Sequence, residues 1–347
     1  VAAFGIGSFV GSFLGGKLSD RIGYRIVMTM SLVLGGIMFI LLQFQLSFWN
    51  LYAFIALAAL FGEAYRPAMM AAVSDFVPKS ETGRTMAFLR LAINIGFSAG
   101  PALGGFIAAI YGYKLLFNID GITCIFAGIL FFILSKSWKK KVEERAQSDV
   151  ANTNEAPFVP PYKNKSYLLL LLTTLLSGIA FVQWFHSIPV YIKQEWGFDE
   201  RFIGLLYTIN GVLIVLLEMP LVHILEKRGK IKITLIVGLV IMAASFLILL
   251  LPPAIIVGVL AMTLLTIGEI LFLPLNNSTM LNMSPVNRRG EYIAYYSMTW
   301  SLTHILAPIF GLFLAETLSF RGLYLVLVIG LVLTAIISQV NYKNWVK

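Results

Sequence analysis

The chain has 347 residues, 59% hydrophobic and only 12% charged, with a formal net charge of +9. A water-soluble domain carries about 25% charged residues, so composition excludes an ordinary soluble enzyme or binding domain and places the chain among membrane proteins. The basic excess does not point to nucleic acid, because the Lys and Arg residues sit in short loops between apolar runs.

In chain order the sequence predicts eleven membrane spans, near residues 1–16, 26–46, 49–73, 86–110, 115–135, 166–190, 202–224, 231–251, 254–280, 291–315 and 322–341. Each is read as a run of about 20 mostly apolar residues. The first run is short, so the chain is expected to enter partway through a helix. The runs are continuous rather than alternating, which argues for helices and against a β-barrel. Residues 1–16 carry neither a basic start nor an A-x-A cleavage pattern, so they do not read as a signal peptide. The single cysteine, Cys124, lies in an apolar run and allows no intrachain disulfide.

Between the first two runs lies Gly16-Lys17-Leu18-Ser19-Asp20-Arg21-Ile22-Gly23-Tyr24-Arg25, a short charged turn bounded by glycines. It begins a charge alternation. Most of the 26 Lys and Arg residues fall in this loop, in every second loop after it and at the C-terminus, whereas the intervening loops hold only Lys114, Lys193, Arg201 and Arg321. The positive-inside rule assigns the basic set to the cytoplasm. The longest of these loops, 136–165, with Lys139-Lys140-Lys141 and Pro157-Phe158-Val159-Pro160-Pro161, reads as a cytoplasmic linker between helix bundles at 1–135 and 166–347.

The two halves repeat each other. Gly62-Glu63 recurs as Gly268-Glu269, Pro67 as Pro274, Pro78 as Pro285, Gly83 as Gly290, Pro101 as Pro308 and Gly104 as Gly311, at offsets of 206 or 207. Asp20-Arg21-x-Gly23 recurs as Glu226-Lys227-x-Gly229. Parallel repeats about an axis along the membrane normal are an architecture of secondary transporters. One helix ahead of residue 1 would make two halves of six.

Charges inside spans cost about 2.5–3.5 kcal/mol each on insertion scales and mark function by default. Glu63 and Arg66, three apart on one helix, can face the same way and pair. Glu269 stands at the repeat-equivalent place of Glu63, and these three are the candidates for proton coupling. Burial favours the neutral form of a carboxyl group and a neighbouring guanidinium favours the ionised form. A helix movement that separates such a pair therefore loads or releases a proton. Glu269 has no cation near it in sequence and is expected to rest protonated. Arg90 reads as a side chain snorkelling from the end of its span, and Glu218 as part of the adjoining loop network.

His186 and His304 titrate in a useful range, or else bond a neighbouring helix. With Tyr65, Asn94, Gln183, Trp184, Asn210, Asn276 and Trp300 they make up the candidate substrate cavity. There, aromatic faces stack on amphiphilic molecules, and the amides either line the cavity or hold helices together. Gly7, Gly11 and Gly15 form a small-residue stripe. Gly96-x3-Gly100-Pro101-x2-Gly104-Gly105 predicts a bent helix closely packed on a neighbour. The sequence shows no metal-ligand cluster, nucleophile motif or phosphate loop, so no cofactor, metal or enzymatic activity is expected.

These motifs resemble those of the major facilitator superfamily. The opening loop is similar to the one between that family's second and third helices, a cytoplasmic gate. Gly16, Asp20, Arg21, Gly23 and Arg25 are the matching residues, echoed by Glu226 and Lys227. Asp20 is expected near the start of the following helix, whose dipole favours an acid. Asp75-Phe76-Val77-Pro78 and Gly83-Arg84 resemble the turn after the fourth family helix. The segment Gly96 to Gly105 resembles the antiporter motif of proton-coupled drug exporters.

The resemblance implies an all-α polytopic protein of the major facilitator fold, with two bundles and about eleven helices, family helices 2–6 and 7–12. It further implies a monomer in the bacterial inner membrane that moves small molecules by alternating access in exchange for protons. Drug exporters carry an Arg four residues before Gly62, where this chain has Ala58. Gly62-x3-Arg66-Pro67, Ile93-Asn94-x-Gly96 and Gly268-Glu269 instead resemble proton-coupled oligopeptide transporters. Symport of peptides or similar solutes is therefore the alternative, and a transport-inactive or binding-only membrane protein the second alternative.

Overall fold

The structure is a computed structural model that describes residues 2–44, 47–77, 81–137, 159–227, 231–285 and 289–345. Helix α1 (Ala2–Ile22) and α2 (Tyr24–Leu42) are joined by Gly23 alone, and α4 (Thr82–Tyr111) and α5 (Tyr113–Leu134) by Gly112 alone. These glycines stand at φ 84° and 81°, left-handed backbone that a residue without a Cβ adopts freely. Helix α3 (Phe48–Phe76) lies between the two pairs. Much of the linker, including Lys139-Lys140-Lys141 and Pro157-Phe158, lies outside the described residues. After it come α6 (Lys165–Gln183), α7 (Ser187–Gln194), α8 (Glu200–Lys227), α9 (Ile231–Ile248), α10 (Ile255–Met283) and α11 (Arg289–Trp345). The described residues contain no strand, and the fold is all-α.

Eight helical segments among the described residues are long and apolar enough to cross a bilayer, where the sequence predicts eleven spans. The eighth, Arg289–Lys343, covers both of the last two predicted spans. Straight, its 55 residues would reach about 80 Å, against a hydrocarbon core about 30 Å thick. The chain breaks helical geometry inside it at Ser319, whose φ is 67°. The other two predicted spans are α1 and α4. Both are helices, but glycines, serines and charges such as Lys17, Asp20, Arg84 and Arg90 dilute their apolar character. Two boundaries also shift. Helix α1 continues through the charged loop to Ile22, well past residue 16. The predicted span 166–190 is two helices, α6 and α7, separated by Trp184 to His186.

The helices group into two compact units. The first contains Val1–Val77, Leu103–Leu168 and Ser284–Ser301; the second contains Pro78–Ala102, Leu169–Met283 and Leu302–Lys347. Lipid tails are as apolar as Leu, so helices in a bilayer associate through close packing and hydrogen bonds rather than hydrophobic transfer. In the first unit α1 lies on α3 through Gly7, Gly11 and Gly15, where a Cβ would strike the backbone of Ala56, Leu60 and Ala64. Helix α2 meets α5 through Gly36 and Gly121, and Gln43 donates to Asn118 Oδ1 at 2.7 Å beside that seam.

In the second unit α9 and α10 make the same kind of seam through Gly238 and Gly268. Most of α10 is buried. Aromatic rings fill one part of this unit: Trp184 lies 6.2 Å from Phe246, and Tyr191 lies 5.1 Å from Tyr324. Pro67, Pro220, Pro274 and Pro308 sit within α3, α8, α10 and α11, each removing one backbone donor from its helix.

Candidate functional site

Three charged side chains converge in the second unit, one from each of three helices. Arg90 of α4 places Nη1 3.1 Å from Glu218 Oε1 of α8, and its Nη2 donates to Glu269 Oε1 of α10. Glu218 is fully buried and Glu269 is 3% exposed. Asn210, two turns before Glu218 on α8, donates through Nδ2 to Glu269 Oε2 at 3.1 Å and to Thr266 Oγ1 at 2.9 Å. Thr266 Oγ1 in turn donates to the Met262 carbonyl at 2.8 Å.

The local sequence explains the convergence. Ile214 and Val222 lie one turn either side of Glu218, so they share its helix face. They form one buried apolar cluster with Ala87 of α4 and Ile270 of α10. The charges thus sit in an apolar setting, where pairing matters most.

The two carboxyl groups are treated differently. Glu269 accepts a hydrogen bond on each oxygen. Among the described residues neither oxygen of Glu218 accepts one, although the Arg90 guanidinium is within ion-pairing distance; the two are close but not aligned for a hydrogen bond. This geometry corrects three expectations. Glu269 does have a cation partner, Arg90 is turned inward rather than snorkelling, and Glu218 belongs to the buried cluster rather than to a loop network. The partners come from distant stretches of chain, 179 residues apart for Arg90 and Glu269. Local spacing could not reveal them. The one available signal was charge balance, because these were the intramembrane charges with no partner nearby in sequence.

Glu63 and Arg66 pair on α3 in the first unit, at 3.6 Å. Their side chains are 23% and 40% exposed, so this pair is far more open than the Arg90 cluster.

The cavity candidates fall in both units. Tyr65 and Trp300 are half-buried in the first unit; Asn94, Gln183, Trp184, His186, Asn210, Asn276 and His304 lie in the second. Asn210 touches the charged cluster through its bond to Glu269. Gln183 is fully buried and donates to the Ala307 carbonyl at 2.7 Å while accepting from Ser187. Asn276 is buried and donates to Thr174 Oγ1 at 3.0 Å. Both hold helices together, the second of the two uses open to amides. Trp184 is buried and packs against Phe246. His186 and His304 are exposed, and Asn94 is half-buried.

Of the gate candidates, Gly16, Asp20, Arg21, Gly23 and Arg25 lie in the first unit and Glu226 and Lys227 in the second. Asp20 lies in the last turn of α1, and its carboxylate accepts from the backbone N–H of Gly290 at 2.8 Å and of Glu291 at 3.0 Å. The N–H groups it accepts belong to the first turn of α11, a partner the sequence expectation did not include. Gly16 lies against the same turn, where a Cβ would strike Ala294 and the Gly290 carbonyl. Arg289 Nη1 donates to Asp75 Oδ1 at 3.1 Å.

Tyr292, three residues after Arg289, has its hydroxyl on the Val159 carbonyl at 2.8 Å, and its own carbonyl accepts from Tyr167 at 2.5 Å. Arg25 reaches the end of α5, donating to Ser135 Oγ at 3.0 Å and to the Phe132 carbonyl at 2.5 Å. Its guanidinium also lies 4.1 Å from the Phe132 ring centroid. Arg21 and Lys227 are exposed, and Gly23 makes the α1–α2 joint. The side chain of Glu226 is outside the described residues.

The antiporter-like segment lies in α4. Gly100, Pro101 and Gly105 are outside the residues whose side-chain surroundings are described. At Gly96 a Cβ would meet nothing within 4 Å, and at Gly104 only the Leu116 side chain at 3.4 Å. At these two glycines no backbone atom lies within 4 Å of an added Cβ among the described residues.

Known proteins share this architecture. The sequence model of the Major Facilitator Superfamily matches residues 1–199 and 187–343. The chain is 24% identical over 316 residues to a Na(+), Li(+), K(+)/H(+) antiporter of Planococcus maritimus, covering 84% of this chain and 74% of that one. It is 26% identical over 323 residues to Multidrug resistance protein 2 of Bacillus subtilis (strain 168), covering 90% and 78%. The crystal structure of the human organic anion transporter MFSD10 superposes with a TM-score of 0.79 at 15% identity, over 97% of this chain and 82% of that one. With helices throughout, apolar segments long enough to span a bilayer and a family match along nearly its whole length, the chain belongs to the major facilitator superfamily of membrane transporters.

Proposed function

We propose that this transporter is a proton-coupled antiporter that expels small amphiphilic or cationic molecules across a bacterial inner membrane. It acts as a monomer, with the linker and C-terminus in the cytoplasm. The observation that carries the reading is the buried guanidinium of Arg90 shared between Glu218 and Glu269. One cation between two carboxyl groups has unequal arrangements depending on whether a proton is present, and α4, α8 and α10 each contribute one member. A proton taken up or lost there changes what holds three helices together. Relatives named as a cation/proton antiporter and a multidrug resistance protein support exchange over uptake. Orientation rests on the charge asymmetry of the loops.

Symport of peptide-like solutes is the second reading, favoured by Gly62-x3-Arg66-Pro67 on α3. Proteoliposomes with an imposed pH gradient separate the two. Antiport moves a cationic dye against the proton flow, whereas symport moves a dipeptide along with it. Transport of neither in a folded preparation contradicts both and supports the transport-inactive alternative.

A further inference from the structure

We infer that Glu218 is the carboxyl group that carries the proton, with Glu269 serving as the fixed anion that positions Arg90. The inference rests on the proton-coupling reading and adds to it the residue that is protonated. Charge is the first consideration. With both carboxyl groups ionised the cluster carries one net negative charge; with one protonated it is neutral. Among the described residues in contact with it there is no second cation. Helix α4 contributes Arg90 and Ala87, α8 contributes Asn210, Ile214 and Val222, and α10 contributes Thr266, Glu269 and Ile270. Arg90 is the one cation among these residues. An uncompensated charge in such a setting is far more costly than a neutral cluster.

Hydrogen bonding then decides which carboxyl group holds the proton. An ionised carboxylate accepts only, and it needs donors on both oxygens. Glu269 has them, from Arg90 and from an Asn210 amide steadied by Thr266. Among the described residues Glu218 has none aligned for a hydrogen bond, although it is fully buried and ion-paired with Arg90. Protonating Glu218 neutralises the group with the fewest donors and leaves the better-solvated anion in place. The proton arrives from water, forms the O–H bond of Glu218 and returns to water on release. While it is bound, Arg90 belongs to Glu269; once it leaves, Glu218 competes for the guanidinium.

The test is difference infrared spectroscopy on the purified full chain in lipid, reading the C=O stretch of protonated carboxyl groups across a pH step. Wild type is expected to show a glutamic acid band. Glu218→Asp is expected to move that band to the aspartic acid position, and Glu269→Asp to leave it in place. Glu218→Gln, nearly isosteric, is expected to abolish it, which covers the case in which the shorter side chain does not fold. Absence of the band in wild type overturns the assignment. So does a band that moves with Glu269→Asp or Glu63→Asp, or one that survives Glu218→Gln. The readout needs no substrate and no transport. A wrong direction of coupling therefore leaves it untouched, and a failed assignment of Glu218 leaves the antiport experiment standing.

Discussion

Asp20 and Gly290 lie 270 residues apart in sequence, yet the Asp20 carboxylate accepts the Gly290 backbone N–H at 2.8 Å. An acid in the last turn of one helix thereby caps the first turn of another. The N-terminal N–H groups of a helix have no partner within it, so the cap satisfies donors that would otherwise be orphaned. Asp20→Ala is expected to cost about 1–2 kcal/mol and to lower the melting temperature of the purified protein. Asp20→Asn keeps one acceptor oxygen and is expected to lose less. A melting temperature for Asp20→Ala equal to wild type would argue that the contact contributes nothing.

Glycine substitutions are expected to divide sharply by position. At Gly11 a Cβ would strike the Leu60 backbone, whereas at Gly62 and Gly96 it would meet open space. Gly11→Leu forces α1 off α3, an overpacking cost of about 1–3 kcal/mol or more. Gly62→Ala and Gly96→Ala are expected to stay within about 0.5 kcal/mol of wild type. Thermal unfolding of the three variants in one detergent checks this ordering, and a destabilised Gly96→Ala would restore the close packing inferred from the antiporter-like motif.

Removing the guanidinium is expected to be costlier than removing one of its partners. Arg90→Ala leaves two buried carboxyl groups facing each other, and breaking a buried pair in this way costs about 3–5 kcal/mol. Adding Glu269→Gln to a milder Arg90→Gln background removes the stranded anion. The double variant is expected to be more stable than Arg90→Gln alone. Equal or lower stability of the double variant would show that the two side chains do not interact as the 13% exposed Arg90 and its neighbours indicate.

What was legible in the sequence follows the range of each interaction. Gly23 belongs to the charged turn read in the sequence and Gly112 falls in the gap predicted between the spans ending at 110 and beginning at 115; both sit at positive φ. The stripe of Gly7, Gly11 and Gly15 announced a close helix contact, though not that α3 would be the partner. Ser319 lies in the short gap predicted between the last two spans, but no glycine signals its φ of 67°. Glu63 and Arg66 pair at a spacing that a helix fixes by itself. The Arg90 cluster and the Asp20 cap join helices far apart in sequence, and their geometry is set by tertiary packing. Periodicity carries no trace of it.

The open Glu63–Arg66 pair and the buried cluster offer a comparison of coupling roles. A 3.6 Å pair with side chains 23% and 40% exposed contributes about 0–1 kcal/mol to stability, so Glu63→Gln is expected to leave the melting temperature unchanged. It is also expected to retain most gradient-driven transport, while Glu269→Gln loses about tenfold or more. Initial rates in matched proteoliposomes check this. A larger loss at Glu63 would move the coupling role to α3.

Counterflow of protons and substrate is the most direct measurement. Proteoliposomes are made acidic inside, their membrane potential is clamped, and a permanently charged cationic dye is supplied outside. Wild type is expected to concentrate the dye inside as protons leave, to stop when an ionophore collapses the pH gradient, and to lose this response in Glu218→Gln. Dye accumulation only when the outside is acidic, or accumulation that ignores the gradient, would contradict proton-coupled antiport through the Arg90 cluster.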